Sequence, residues 1–333
     1  MLISVIIPCY NESEVLPETH RRLAEVADRL QSQGEFEFVF VDDGSRDETP
    51  RMLHELAQVD RRVRGIRLSR NFGQQIATTA GLENSSGDAV VVMDADLQDP
   101  PELIEAMLAR WREGYHVAYA QRTERTGETA FKLWSARLFY RLVQRISRVS
   151  IPSDTGDFRL MDRKIVDAFL RMPERDRFLR GMVSWVGYRQ IAVPYKRAPR
   201  FAGRTNYPLL KMVRFATDAV VSFSFAPLRL AVWTGFFVIG LALLGIVYAI
   251  ILRFFADPSQ WVRGWASTFV AILFMGGVQL ISLGIIGEYV GRIYGEVKQR
   301  PLYIVWERFG FGDAAPPANG PRPAPLGSGR ADV

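Results

Sequence analysis

The fold class this sequence predicts is α/β: an open, mostly parallel sheet, followed by amphipathic helices that lie at an interface and two apolar helices that cross a membrane. Three observations predict it. Short apolar runs alternate with helical patterns along the first half of the chain, the mark of parallel strands joined by crossover helices. Two later stretches, Leu230 to Leu252 and Gly264 to Gly287, run for 23 and 24 residues without a charge. About 20 apolar residues cross a bilayer as a helix. The segments leading into them mix arginines with an apolar stripe.

Taken in order, the strands read as Leu2 to Pro8, Phe36 to Val41, Val63 to Leu68, Ala89 to Met93 and His116 to Gln121. Helical patterns fill the gaps near Glu14 to Gln31, Asp47 to Gln58, Gly73 to Asn84 and Glu102 to Glu113. The chain begins directly on a core strand, without the charged and then apolar signature of a leader. The loop after the first strand is Pro8-Cys9-Tyr10-Asn11-Glu12. It carries no GxGxxG fingerprint, so a dinucleotide fold loses its usual support.

From Ala130 to Ile151 there is no acidic residue. Lys132, Arg137, Arg141, Arg145 and Arg148 recur at near-helical spacing opposite Trp134, Leu138, Phe139, Leu142, Val143 and Ile146, the pattern of a helix on anionic lipid. An ordinary surface helix with solvated arginines shares that pattern. Tyr207 to Leu228 reads as a second interfacial helix. The formal charge of +6 and pI near 9.5 fit nucleic acid or an anionic membrane, and this distribution favours the membrane over nucleic acid.

Charges beside the apolar runs set an orientation. Lys211, Arg214, Arg229, Arg292, Lys298 and Arg300 flank the pair on the outside, against Arg253 and Arg263 in the loop between them. Both ends are therefore expected in the cytoplasm of a plasma or inner membrane. The expected organisation is a catalytic domain over 1–205, including the amphipathic helix at about 130–149, and a juxtamembrane helix over 206–229. A two-helix membrane region over 230–288, a cytoplasmic segment over 289–310 and a disordered Gly/Pro-rich tail over 311–333 complete it.

One cysteine, Cys9, and three scattered histidines, His20, His54 and His116, exclude disulfide, zinc-cluster and histidine chemistry. The chemistry lies in carboxylates. Val90-Val91-Val92-Met93 ends in Asp94-Ala95-Asp96-Leu97-Gln98-Asp99, an apolar strand closing on two carboxylates one residue apart and a carboxamide. Oxygen ligands at a strand's carboxyl end suit Mg²⁺ or Mn²⁺ holding a diphosphate. A polar turn capping a helix at Pro100-Pro101 fits the same run taken alone. Tyr10 could stack a planar base and Asp43 could accept its imide N–H, while Asp43-Gly44 and Asp47 equally fit a tight turn and a helix cap.

The segments SVIIPCYNE, VFVDDGSRDET and VVMDADLQDPPE, with RNFGQQIATTAGL, TGDFRLMDR, RFAGRTNYPLLKM and EYVGRIYGEVKQRP after them, resemble the inverting family 2 glycosyltransferases. Within these the chain looks most like the polyprenyl-phosphate group, bacterial bactoprenol glucosyltransferases first and dolichol-phosphate mannose synthases more distantly. The resemblance implies a GT-A type nucleotide-sugar domain in which Pro8, Tyr10, Glu12, Asp43, Asp94, Ala95 and Asp96 bind a UDP-sugar. Asp94, Asp96 and Gln98 would hold the metal, with Asp96 essential to turnover. Arg122, Arg125, Lys132, Arg200 and Arg204 would cradle the phosphate of undecaprenyl phosphate and the donor diphosphate. Asp157 would be the catalytic carboxylate, with Asp154 competing for that role.

The implied activity is transfer of a hexosyl group, glucose foremost, to the lipid phosphate, by a homo-oligomer, a tetramer by resemblance, with a dimer suiting the two spans equally. Transfer of an amino-deoxypentose to the same lipid uses the same acceptor logic. A processive polysaccharide synthase would carry a QxxRW motif, which does not occur here. A non-catalytic nucleotide-sugar-binding scaffold is the alternative from another class.

Overall fold

The structure, a computed structural model, describes residues 1–123, 155–196, 231–238, 240–241, 244–245, 247, 251 and 264–312. These residues fall into two units. Residues 1–123, 155–196 and 300–312 belong to the first, and the described residues between 231 and 299 to the second.

The first unit is built on strands β1 (Leu2–Cys9), β2 (Glu35–Asp42), β3 (Val63–Leu68), β4 (Ala89–Val92), β5 (Val117–Arg122), β6 (Thr155–Asp162), β7 (Gln190–Tyr195) and β8 (Val305–Phe309). Its helices are α1 (Leu16–Arg29), α2 (Thr49–Val59), α3 (Gln74–Glu83), α4 (Leu103–Arg112), α5 (Arg163–Leu170) and α6 (Leu179–Trp185). The strands form one sheet in the order β7-β5-β6-β4-β1-β2-β3-β8. The five strands and four helices expected in the first part of the chain are all present, with ends shifted by a few residues.

Alternation along the strands divides the core between two faces. Ile3, Val5, Ile7, Phe38 and Phe40 pack with Leu16, Leu23, Leu53, Ile104 and Met107 beneath α1, α2 and α4. Ile6, Val39, Val41 and Val92 pack with Ala77, Ala80, Ile165, Phe169 and Met182 beneath α3, α5 and α6. Because both faces are covered, β1 and β2 read as nearly continuous apolar runs. Phe38 and Phe40 are completely buried, and truncating either to alanine costs about 3–5 kcal/mol.

The sheet is mixed rather than mostly parallel, a correction to the sequence reading. β1 pairs in parallel with β2 and β4, β2 with β3, and β5 with β7, whereas β6 runs antiparallel between β4 and β5 and β8 runs antiparallel to β3. Hydropathy hides β6, because it carries Asp157 and Arg159 into the interior, 6% and 3% exposed. β8 is a five-residue strand in a segment expected only as a cytoplasmic extension. It covers the edge of β3, where unpaired backbone would otherwise invite another strand.

In the second unit, residues 231–238 are helical, and α7 (Trp265–Val297) is a single 33-residue helix. Among the described residues α7 is the one helix long and apolar enough to cross a membrane, over Phe274–Val297. Ile272, Leu280, Ile281, Leu283 and Ile293 all stand more than 60% exposed on it, so it turns apolar surface outward on every side. Of the first expected span, Leu230 to Leu252, 14 of 23 residues are described and all of them are helical; the amphipathic helix at about 130–149, the juxtamembrane helix and nearly all of the tail lie outside the described residues. A pair of spans is thus reduced, among the described residues, to one such helix.

Candidate active site

Parallel strands β1, β2 and β4 bring their carboxyl ends to one edge of the sheet, and β5 points the same way. Because β6 runs the other way, its first residues rather than its last reach that edge. Pro8, Tyr10 and Glu12 thus follow β1, Asp43 follows β2, Asp94, Ala95, Asp96 and Gln98 follow β4, Arg122 closes β5, and Asp157 opens β6. Arg125, Lys132, Arg200, Arg204 and Asp154 lie outside the described residues.

The first two loops are pinned to each other. Asn11, in left-handed backbone at φ +54°, donates its N–H to Ser45 Oγ at 2.9 Å and accepts the Arg46 N–H on Oδ1 at 2.9 Å. The Glu12 N–H donates to Thr49 Oγ1 at 2.9 Å. This leaves the Tyr10 ring 43% exposed at the rim, free to stack a flat group.

Asp43 does something the sequence did not reveal. Its two carboxylate oxygens accept the backbone N–H groups of Phe72 and Gly73 at 2.7 and 2.8 Å, tying the β2 loop to the turn that begins α3. Burial pushes its carboxyl pKa up, against those two N–H donors. The turn needs glycine twice. Gly73 sits at φ +99° and Gly44 at φ +71°, and a Cβ on Gly44 would stand 2.5 Å from the backbone carbon of Arg70.

α3 then delivers two glutamines to two further carboxylates. Gln74 Nε2 donates to Asp94 Oδ1 at 2.6 Å, and Gln75 Nε2 donates to Asp157 Oδ2 at 2.8 Å. Asp157 Oδ1 accepts Arg180 Nε at 2.7 Å. The acidic loop itself is held by Thr19 Oγ1 donating to the Ala95 carbonyl at 2.8 Å and by the Gln98 N–H donating to Asp96 Oδ1 at 3.2 Å.

The electrostatics follow. Burial first, then the negative charges of Asp157, Asp96 and Asp99, push Asp94 up to about 7 from an ordinary 3.8. Burial also opposes ionisation of Asp157, but Arg180, Arg159 and Gln75 prevail and hold its carboxyl below the usual range. Arg159, buried, is itself pulled down to about 10 by desolvation. On the far flank, Arg122 Nε donates to the Tyr195 hydroxyl at 3.2 Å, and that hydroxyl donates to buried Asp99. Burial and Asp99 push Tyr195 up to about 12, so the hydroxyl keeps its proton.

Gln74, Gln75, Arg159, Arg180, Asp99 and Tyr195 had no assigned role in the sequence reading. Gln74 and Gln75 stand in RNFGQQIATTAGL, Arg159 in TGDFRLMDR and Asp99 in VVMDADLQDPPE, motifs that give none of them a partner. Arg180 and Tyr195 are distant in sequence; Tyr195 reaches the edge because β7 runs parallel to β5, and Arg180 because α6 begins beside Gln75.

The carboxyl edge of an open α/β sheet is where such folds bind their ligands, and here it gathers Asp43, Asp94, Asp96 and Asp157, with Arg122 and Arg180 on the flank. The sequence model of glycosyl transferase family 2 matches residues 4–170, and that of the GtrB C-terminal hairpin matches residues 226–293. The chain is a glycosyltransferase and belongs to glycosyl transferase family 2. It is 49% identical over 308 residues to the uncharacterized glycosyltransferase YkcC of Bacillus subtilis, spanning 92% of this chain and 94% of that one. It is 41% identical over 306 residues to the SfII prophage-derived bactoprenol glucosyl transferase of Shigella flexneri, spanning 92% and 97%. Among solved structures, mannosyl-3-phosphoglycerate synthase from Rubrobacter xylanophilus aligns at a TM-score of 0.49 and 17% identity, over 66% of this chain and 72% of that one.

Proposed function

We propose that the protein transfers a hexosyl group, glucose foremost, from a UDP-sugar to undecaprenyl phosphate at the cytoplasmic leaflet, with inversion at the anomeric carbon. The product is a lipid-linked sugar donor for the cell envelope. The observation that carries this reading is the crowding of Asp96, Asp99 and Asp157 around Asp94 at the strand edge, in a chain resembling a bactoprenol glucosyl transferase over nearly its whole length.

A divalent ion fits this crevice. Its donors are carboxylate and carboxamide oxygens, the chemistry of Mg²⁺ and Mn²⁺, and a cation relieves the mutual repulsion that raises Asp94. Among the described residues no three His, Cys, Asp or Glu side chains form a complete ligand set. Asp94, Asp96 and Gln98 would hold the ion. When bound, it supplies Lewis-acid stabilisation of the negative charge on the departing diphosphate.

The protein's own groups do the rest. Tyr10 offers a face for the uracil ring, and Asp43 shapes the pocket floor through the loop it ties down. Arg122, held by Tyr195, presents a cation where β5 ends, with Arg125, Lys132, Arg200 and Arg204 as further partners for phosphate. A lipid phosphate is already an anionic nucleophile, so orientation matters more than proton removal. Asp157, kept ionised by Arg180, serves as a fixed acceptor that orients the reacting groups. The exposed apolar surface of α7 suits a helix embedded in lipid, with the run Leu230 to Leu252 as its companion span.

The test is incubation of the purified full chain with undecaprenyl phosphate and a panel of labelled UDP-sugars. Label from a UDP-hexose should enter acid-labile, organic-extractable lipid. Label entering only from a UDP-amino-deoxypentose would reassign the donor, and none from any donor would contradict the reading.

A further inference from the structure

Asp157 is held at the strand edge on both carboxylate oxygens, and its anchors form a closed ring. Gln75 Nε2 donates to one carboxylate oxygen at 2.8 Å while Gln75 Oε1 accepts the Leu179 N–H at 3.0 Å. The next residue, Arg180, donates from Nε to the other carboxylate oxygen at 2.7 Å. One glutamine and one arginine thereby join the start of α3, the first residue of α6 and the opening of β6. Behind the ring, Arg159 donates to the Gly156 carbonyl at 3.1 Å and to the Asp157 carbonyl at 3.3 Å, fixing the backbone that bears the carboxylate.

A short polar side chain on a strand end ordinarily samples several rotamers. Here both oxygens are claimed by donors from two helices, so the carboxylate has one orientation, and each oxygen keeps a lone pair for substrate. The ring also solves an electrostatic problem. Asp157 stands close enough to raise Asp94, and without a cation of its own it would be an unpaired buried charge beside other anions.

We propose that Gln75 and Arg180 are positioning residues of the transfer reaction: they act through Asp157, holding its carboxylate in one orientation, and have no direct part in binding the nucleotide. The proposal rests on the reading of Asp157 as the carboxylate that meets the substrate. It makes a definite statement about coupling. If Arg180 works only through Asp157, its removal matters only while Asp157 is a carboxylate.

The experiment is a double-mutant cycle on the purified full chain, measuring kcat and KM with UDP-glucose and undecaprenyl phosphate. Arg180→Ala should lower kcat by about 30- to 100-fold with KM for UDP-glucose within about 3-fold of wild type. Asp157→Asn should lower kcat by about 100-fold, and adding Arg180→Ala to it should cost less than about 3-fold more. Arg180→Lys, which keeps the charge, should recover most of the loss. Gln75→Leu should fall about 10-fold and show the same collapse in the Asp157→Asn background. Should Arg180→Ala fail to fold, seen as the loss of a cooperative thermal transition, the Gln75 cycle decides.

Losses that multiply in the double variants, or a rise in KM for UDP-glucose matching the fall in kcat, would overturn the proposal. Absence of labelled lipid from wild type with every UDP-sugar would instead overturn the functional reading on which it rests, and the two failures are distinguishable.

Discussion

The two halves of the catalytic sheet hold their carboxylates by different means. On the half built from β1, β2 and β3, Asp43 is satisfied by backbone, accepting the N–H groups of Phe72 and Gly73, while Asp42 accepts the Ser45 N–H on one oxygen and faces Arg67 with the other at 3.5 Å. On the half built from β5, β6 and β7, Asp157 is satisfied by the side chains of Arg180 and Gln75, and Tyr195 donates from β7 to Asp99 in the β4 loop. A carboxylate that gathers backbone N–H groups fixes the path of a loop, so its loss is felt in stability and pocket shape. One that gathers side-chain donors keeps a set charge and direction, so its loss is felt in turnover. Asp94 and Asp96 follow β4, between the halves, at the place proposed for the cation.

Changes at the junction should be the most severe. Asp96→Ala removes a proposed ligand of the ion, and transfer should fall by about 10³-fold or more while the thermal midpoint stays near that of wild type. Near-normal turnover would remove the metal assignment.

The next contrast separates the halves directly. Asp157→Asn should reduce kcat by about 100-fold with UDP affinity intact. Asp43→Ala strands two backbone N–H groups, which should cost about 2–4 kcal/mol and lower Tm together with UDP affinity. Equal losses of UDP affinity in both variants would erase the distinction. Gly44→Ala probes the same loop more gently. Strain at φ +71° and the approach to Arg70 should cost about 1–3 kcal/mol, read as a lower Tm.

The smallest effect is a pH dependence. Burial and neighbouring charges raise Asp94 to about 7, so the native state keeps a proton there that the unfolded chain gives up near 3.8. Without metal, stability contributed by that proton is present below pH 4 and is lost as pH rises through about 7. Affinity for Mn²⁺ should increase over the same window, by about tenfold from pH 6 to pH 8, measurable by calorimetry on the full chain. A flat profile would place the ion elsewhere.

Legibility in the sequence followed the same division. The β1 to β5 strands announce themselves as apolar runs ending in polar loops, and Asp94-Ala95-Asp96 could be picked out because it interrupts one. β6 was missed because its interior charges, Asp157 and Arg159, look like surface residues until their partners are known. β8 was missed because five residues with an exposed Trp306 carry little periodic signal. Gln74 and Gln75 stood inside a recognisable motif, yet which carboxylate each one meets depends on the sheet order. Arg180 and Tyr195 could not have been placed at all, since the pairing of β7 with β5 and the docking of α6 against Gln75 are what carry them to the edge.

The central claim is that a divalent ion at Asp94 and Asp96 serves transfer of a hexose to a lipid phosphate. Its most direct test is label transfer from UDP-glucose to undecaprenyl phosphate by the full chain, first with a chelator and then with Mg²⁺ or Mn²⁺ restored, for wild type and Asp96→Ala side by side. The account predicts labelled lipid that vanishes with the chelator and returns with the ion in wild type alone. Equal labelling in the presence of the chelator, or full recovery in Asp96→Ala, would contradict it.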